Sequence, residues 1–162
     1  MGRWSRHPMG SDGALDAQYC FLMNFDEHYL DKDPKEISEY LLGLSLEDLK
    51  KVSESNKYLS IDKFVIPYTY VEYGAFTKDP EVRKYLLECL DSHDDITGRF
   101  NYCHEKDVFG DVPELVEIER FKKHFDEIFD EKVELELDDG LLAAIEKTMD
   151  DPGYDGGLIN KR

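Results

Sequence analysis

The chain has 162 residues, of which 41% are hydrophobic and 35% charged, and its formal net charge is −17. This length suits one domain, and this composition is typical of a folded globular protein. So large an excess of negative charge excludes free nucleic acid and anionic membrane as favourable partners. We therefore expect one soluble domain whose partner carries positive charge.

The first predicted element is a buried strand at residues 19–25, which form a continuous apolar run without a polar face. Asp33 and Pro34 then place a capping side chain before a proline, the pattern of a helix start. Apolar residues recur at helical spacing as far as Gly43, where we expect this first helix to end.

A second short helix is predicted directly afterwards, because Ser45 and Asp48 have the spacing of a capping box. The next stretch, residues 64–73, is the richest in β-branched and aromatic side chains, and it predicts a strand. Pro67 cannot donate to a strand ladder. We expect this strand to be bulged or broken at Pro67, or to lie at a sheet edge.

A third helix is predicted to start at Asp79, which is followed by a proline and then by apolar residues on one face. Residues 91–110 mix turn residues with a run too brief to assign. Asp111 then fits a capping box for the longest amphipathic helix, which carries Phe121, Phe125 and Phe129 on its apolar face.

The last predicted elements are a strand and a helix. Residues 133–137 alternate apolar and acidic side chains, the pattern of a strand with one wet face. Asp138 and Asp139 then cap a final helix, which ends before Pro152. Together the elements predict an α/β protein of the α+β type, with a small mixed or antiparallel sheet packed by about four to five helices.

The domain is expected to span residues 14–152. Residues 1–13 have the composition of a vector-derived or disordered lead, and residues 153–162 that of a flexible tail. The three cysteines of the chain are too few and too irregularly spaced for a disulfide framework. We expect reduced thiols in a cytoplasmic protein, and no run approaches the roughly 20 apolar residues of a membrane span.

Metal or thiol chemistry would centre on His93 and His104, which lie near clustered carboxylates and Cys103. The spacing of these residues matches no zinc or nucleophile signature. Cys103 and His104 are adjacent, and adjacent side chains on a strand point to opposite faces. No metal, cofactor or catalytic residue is therefore assigned. A small metal-assisted enzyme that uses His93 and His104 is an alternative hypothesis.

The functional hypothesis rests on the acidic surface. Residues 79–155 carry 24 acidic and 9 basic side chains, whereas residues 1–78 carry 13 and 9. Like charges in a row destabilise a fold by self-repulsion, and a basic partner would neutralise them. The predicted partner-binding residues are Glu134, Glu136, Asp138, Asp139, Asp94, Asp95, Tyr70 and Tyr73.

These features predict a non-enzymatic inhibitor that masks a basic, nucleic-acid-acting protein. In electrostatic character it would be similar to the bacterial immunity proteins that bind nuclease toxins. An adaptor or regulatory domain with another basic partner explains the same charge. A surface that only keeps the protein soluble is the remaining interpretation.

Overall fold

A computed structural model gives the fold and describes residues 8–10, 12–91 and 113–132. The regular structure in these ranges is entirely helical, so the predicted α+β fold is wrong for this part of the chain. The helices are α1 (Asp12–Leu22), α2 (Pro34–Gly43), α3 (Leu46–Glu54), α4 (Lys57–Ile61), α5 (Val65–Glu72), α6 (Pro80–Cys89), α7 (Pro113–Lys123) and α8 (Phe125–Phe129), with a 3₁₀ turn at Tyr29–Asp31.

Three predicted helix starts are confirmed, each by its own capping side chain. Asp33 ahead of α2 and Asp79 ahead of α6 accept a hydrogen bond from the backbone N–H two residues further on, at 2.9 and 3.0 Å. Ahead of α3, Ser45 accepts from the N–H of Asp48 at 3.1 Å, and the Asp48 carboxylate accepts from the N–H of Ser45 at 3.4 Å. These caps are local, which is why the sequence predicts them.

The predicted strand at residues 64–73 is the buried helix α5. Six of its eight residues are buried, and it packs against α1 and α6. A helix enclosed in this way has no polar face, so its sequence shows no helical periodicity. Pro67 is its third residue and lies in the first turn, where a backbone N–H has no helical acceptor to lose.

The predicted strand at residues 19–25 is the second half of α1 followed by a turn. Ala14, Ala17 and Phe21 are fully buried and recur at helical spacing, whereas Tyr19 is exposed. The helical spacing starts at Ala14, so residues 19–25 taken alone do not show it. Helix α1 packs on α4 and α5.

The predicted long helix that carries the phenylalanines is two helices, α7 and α8, which divide at His124. Its buried face is confirmed. Phe121, Phe125 and Phe129 are buried at a spacing of four residues, and adjacent rings stack with centroids 5.8 and 4.5 Å apart. The predicted cap at Asp111 lies outside the described residues.

Aromatic contacts join the helices into one core. Tyr68 of α5 packs edge-to-face on Phe121 of α7, with ring centroids 5.0 Å apart. The hydroxyl of Tyr70 donates a hydrogen bond to the Leu41 carbonyl of α2 at 3.0 Å. Burial raises the pKa of both tyrosines far above the usual value, so their hydroxyls stay protonated.

Helix α8 ends in a Schellman motif with a glutamate in the left-handed position. Glu131 has φ of 60°, and its N–H donates to the Ile128 carbonyl at 3.0 Å. The N–H of Lys132 donates to the Glu127 carbonyl at 2.8 Å. This pair of bonds closes the helix end.

No helix among the described residues is long and apolar enough to cross a membrane. The predicted strand at residues 133–137, the helix that follows Asp139 and the tail lie outside the described ranges. They stay predictions, as do the domain boundaries.

Candidate functional site

Most of the predicted functional residues fall outside the part of the chain that the structure describes. Their placement stays a prediction. These residues are Glu134, Glu136, Asp138, Asp139, Asp94, Asp95, His93 and His104.

The two predicted tyrosines belong to α5 and its C-terminal cap, and they differ in exposure. Tyr70 is fully buried and bonded to α2, so it is a core residue. Tyr73 is half-buried at the end of α5. Burial, and next the charge of Glu72, raise the pKa of Tyr73 to about 12. Of the two tyrosines, only Tyr73 reaches the surface.

Glu72, the last residue of α5, is the centre of a polar cluster between α1 and α5. Gln18 Nε2 donates to Glu72 Oε2 at 2.6 Å and to Thr69 Oγ1 at 3.1 Å. The Thr69 hydroxyl in turn donates to the Val65 carbonyl at 2.8 Å. Both hydrogens of the Gln18 amide are therefore used, one on Thr69 and one on the Glu72 carboxylate.

The charge of Glu72 also acts on two tyrosines. Tyr29, from the 3₁₀ turn, and Tyr73 both lie close enough to Glu72 for its negative charge to raise their pKa, after the larger effect of burial. The ring of Tyr29 also packs against that of Tyr19, with centroids 5.9 Å apart. We refer to Gln18, Tyr29, Glu72 and Tyr73 as the Glu72 cluster.

The charge of Glu72 has no internal counterion among the described residues, since no lysine, arginine or histidine there lies within ion-pair distance. Desolvation raises its pKa above the usual value, and the hydrogen bond from Gln18 lowers it part of the way back. The side chain still reaches solvent.

The outer side of α2 is a second acidic feature. Glu36 and Glu39 are exposed one turn apart, and no cation in the described ranges lies within ion-pair distance of either. Leu42 follows with the same spacing and is 47% exposed, and Leu30 ahead of α2 is 76% exposed. We call Leu30, Glu36, Glu39 and Leu42 the α2 surface.

Several acidic side chains near α6, α7 and α8 have a cationic partner within the fold. Arg83 bonds to Asp130 at 3.0 Å, and Lys122 bonds to the carboxylate of Asp91. Glu117 pairs with Arg120 of the same helix at 2.7 Å. These pairs neutralise part of the negative charge that the sequence concentrates in residues 79–155, of which residues 92–112 and 133–155 lie outside the described ranges.

Cys89 is a structural thiol. Burial, partly opposed by the charge of Lys63 and a hydrogen bond with Tyr85, raises the pKa of Cys89 to about 12. The Tyr85 hydroxyl also bonds to the Ser53 hydroxyl at 2.5 Å, which links α6 to α3. A thiol with this pKa is protonated at neutral pH and is a poor nucleophile.

The described residues hold no cluster of three or more side chains suited to metal binding. Comparisons with protein-family models, curated proteins and solved structures found no match. The function is therefore argued from the chemistry of the chain itself.

The Glu72 cluster was missed at the level of sequence except for Tyr73. One signal was available, because Glu72 is the only charged residue within the apolar stretch 64–73. Its partner Gln18 lies 54 residues away in the chain, and no local pattern connects the two.

Proposed function

We propose that this protein is a non-enzymatic binding protein that docks its acidic side on a basic, nucleic-acid-acting protein and inhibits it. The observation that carries the proposal is the α2 surface. There, Glu36 and Glu39 are exposed and lack an internal cation among the described residues, and the exposed Leu42 follows one turn further along α2.

In such a contact, charge mainly affects the association rate, and apolar area mainly affects the stability of the complex. Uncompensated carboxylates attract a positively charged partner over a long range and raise the association rate. Leu30 and Leu42 would supply the apolar contact that keeps the complex together once it has formed. A basic groove that binds phosphates would accept carboxylates in their place, which would block access of the nucleic acid.

The experiment compares two charge-reversed variants with the parent protein. Glu36→Lys with Glu39→Lys changes the α2 surface. Glu54→Lys with Glu88→Lys makes the same change in net charge at exposed positions of α3 and α6. Each protein is used to capture basic partners from a lysate of the source organism. The nucleic-acid-cleaving activity of each captured protein is then measured alone and in the complex.

We expect the α2 variant to lower the association rate at low salt by about tenfold, and the control variant to change it by less than about twofold. We expect the partner to lose its activity in the complex. A partner that is bound but stays active would mean that this protein is an adaptor and not an inhibitor. Retention of no basic protein at low salt, or equal losses in both variants, would contradict the proposal.

A further inference from the structure

We propose that the basic outer side of helices α3 and α4 binds an acidic segment of the same chain, residues 138–151, for which the sequence predicts an amphipathic helix. Asp138 and Asp139 of this segment, which the sequence predicts to bind a partner, then contact lysines of their own chain. The inference does not rest on the proposed function, because it involves no residue of the α2 surface. We call the basic side the α3–α4 surface, and it consists of Lys50, Lys51, Lys57, Tyr58 and Ile61.

The α3–α4 surface is accessible because the opposite sides of its two helices face the core. Leu49 of α3 and Leu59 of α4 are fully buried, whereas all three lysines are exposed. Tyr58 and Ile61 are also exposed, at 44% and 49%. The Nζ atom of Lys57 lies 5.4 Å from the centroid of the Tyr58 ring, and α3 and α4 pack against each other. Positive charge and exposed apolar area therefore adjoin on this surface.

The lysines of this surface form a local excess of positive charge in an acidic chain. Residues 50–63 carry four lysines and two acidic residues, although the net charge of the whole chain is −17. None of Lys50, Lys51 and Lys57 lies within ion-pair distance of a carboxylate in the residues that the structure describes. Such a surface attracts carboxylates from outside the described ranges.

Residues 138–151 complement the α3–α4 surface in charge and in apolar pattern. They contain five acidic residues and one lysine, and four of the acids lie at the two ends of the segment. Leu142, Ile145 and Met149 recur at helical spacing, which predicts one apolar face. A helix of this length is marginal in water unless its apolar face packs on a surface. The exposed apolar side chains of α4 offer that surface beside the lysines.

The segment can reach this surface from the point where the described chain ends. Lys132 follows Asp130, which pairs with Arg83 of α6 at 3.0 Å, and α6 packs on α3. Helix α6 has ten residues and is about 15 Å long, and the axes of packed helices lie about 10 Å apart. The six residue steps from Lys132 to Asp138 span up to about 20 Å. Residues 133–137 are thus long enough to bring the segment across α6 to α3.

The first test is carbodiimide cross-linking of the full chain, which joins a lysine amine to a carboxylate in direct contact. Mass spectrometry then identifies the joined peptides. Lys35 of α2 and Lys123 of α7 are exposed elsewhere and serve as control lysines. An equal mixture of isotope-labelled and unlabelled protein separates links within one chain from links between two chains.

We expect the three lysines of the α3–α4 surface to be joined to acids of residues 138–151 within one chain, at several times the yield of the control lysines. Equal yields at the control lysines would overturn the proposal, because they would mean that the acids contact the whole surface at random. Links between differently labelled chains would overturn it as well, since the segment would then come from a second copy.

The second test measures amide hydrogen exchange of residues 138–151 in charge-reversed variants. In Lys50→Glu with Lys57→Glu, the protection of this segment should fall by about tenfold, because attraction becomes repulsion. Lys35→Glu with Lys123→Glu makes the same change in net charge, and should alter the protection by less than about twofold. Exchange of α5 in the same samples should stay unchanged, which separates loss of the contact from loss of the fold.

An apolar variant tests the other half of the contact. Ile61→Ser keeps the charge of the surface and should also lower the protection of residues 138–151. Leu87→Ser, at a position of α6 that is 37% exposed, should not. Unchanged protection in both the lysine variant and Ile61→Ser would overturn the proposal. Neither test involves a partner, so the proposed function can fail while this contact stands, and the reverse.

Discussion

Helices α1–α5 and helices α6–α8 are joined to their neighbours by different polar contacts. Near α6–α8, cationic side chains of the same region pair with the carboxylates, as Arg83 does with Asp130 and Lys122 with Asp91. In α1–α5, neutral hydrogen bonds such as Tyr70 to Leu41 tie the helices together. Carboxylates without a cation in the described ranges occur in both regions: Glu36, Glu39 and Glu72 in the first, and Glu81 and Glu88 in the second.

This difference shows that the net charge of a segment does not reveal which of its carboxylates have a cationic partner in the fold. A carboxylate that already has an internal cation offers little to a partner, since its charge is neutralised and its geometry is fixed. Among the described residues, the proposed docking surface is therefore the α2 surface. Four substitutions test this division.

The largest effect is expected from Phe129→Ala in α8. The ring is fully buried, stacks on Phe125 at 4.5 Å and meets Phe76 at 5.9 Å. Its loss should lower the free energy of unfolding by about 3 to 5 kcal/mol, as measured by urea denaturation. Leu30→Ala, at a position 76% exposed, should change it by less than about 0.5 kcal/mol. Similar losses in both would contradict the core described above.

The next effect compares ion pairs in the two regions. Arg83→Met removes a side chain that is 16% exposed and bonds to α8, and it should cost about 2 kcal/mol. Lys32 is 40% exposed and lies 3.4 Å from Asp26. Lys32→Met should lower the free energy of unfolding by less than about 0.5 kcal/mol. Thermal unfolding would measure both. Equal costs would mean that the ion pairs do not distinguish the regions.

A smaller effect is expected from Tyr70→Phe in α5. The variant loses the hydrogen bond to the Leu41 carbonyl without creating a cavity, so it should destabilise the fold by about 1 kcal/mol. Tyr58→Phe removes a hydroxyl from an exposed ring and should be neutral. The two variants are compared by urea denaturation. An unchanged free energy of unfolding in Tyr70→Phe would show that this hydrogen bond does not stabilise the packing of α5 on α2.

The smallest effect concerns the pH dependence that Glu72 adds. Its pKa is raised in the folded state, so folding favours the protonated form. That stabilisation is fully present below the usual pKa of a glutamate and is lost as the pH rises through the raised folded pKa. Glu72→Gln should flatten the unfolding free energy against pH over this window. Glu88→Gln should keep the parent slope, and equal slopes in all three proteins would refute the assignment.

Local chemistry explains what the sequence predicted correctly. Asp33, Ser45 and Asp79 cap helices through bonds to residues two or three positions away, so a short motif contains the whole interaction. The phenylalanine face of α7 and α8 was likewise readable because its other side is polar.

Burial explains what the sequence predicted wrongly. Helix α5 is enclosed by its neighbours, so its β-branched and aromatic residues reflect the core and not a strand. The bond between Gln18 and Glu72 depends on α1 and α5 meeting in space, and that contact follows from helix packing. No spacing rule predicts it.

The glutamate at the end of α8 has a practical consequence. Left-handed backbone costs a residue with a Cβ about 1 kcal/mol, a cost that glycine avoids. With φ of 60° at Glu131, the chain is below its stability optimum at this helix end. Glu131→Gly would give a more robust parent protein, in which damaging substitutions elsewhere could be studied while the chain stays folded.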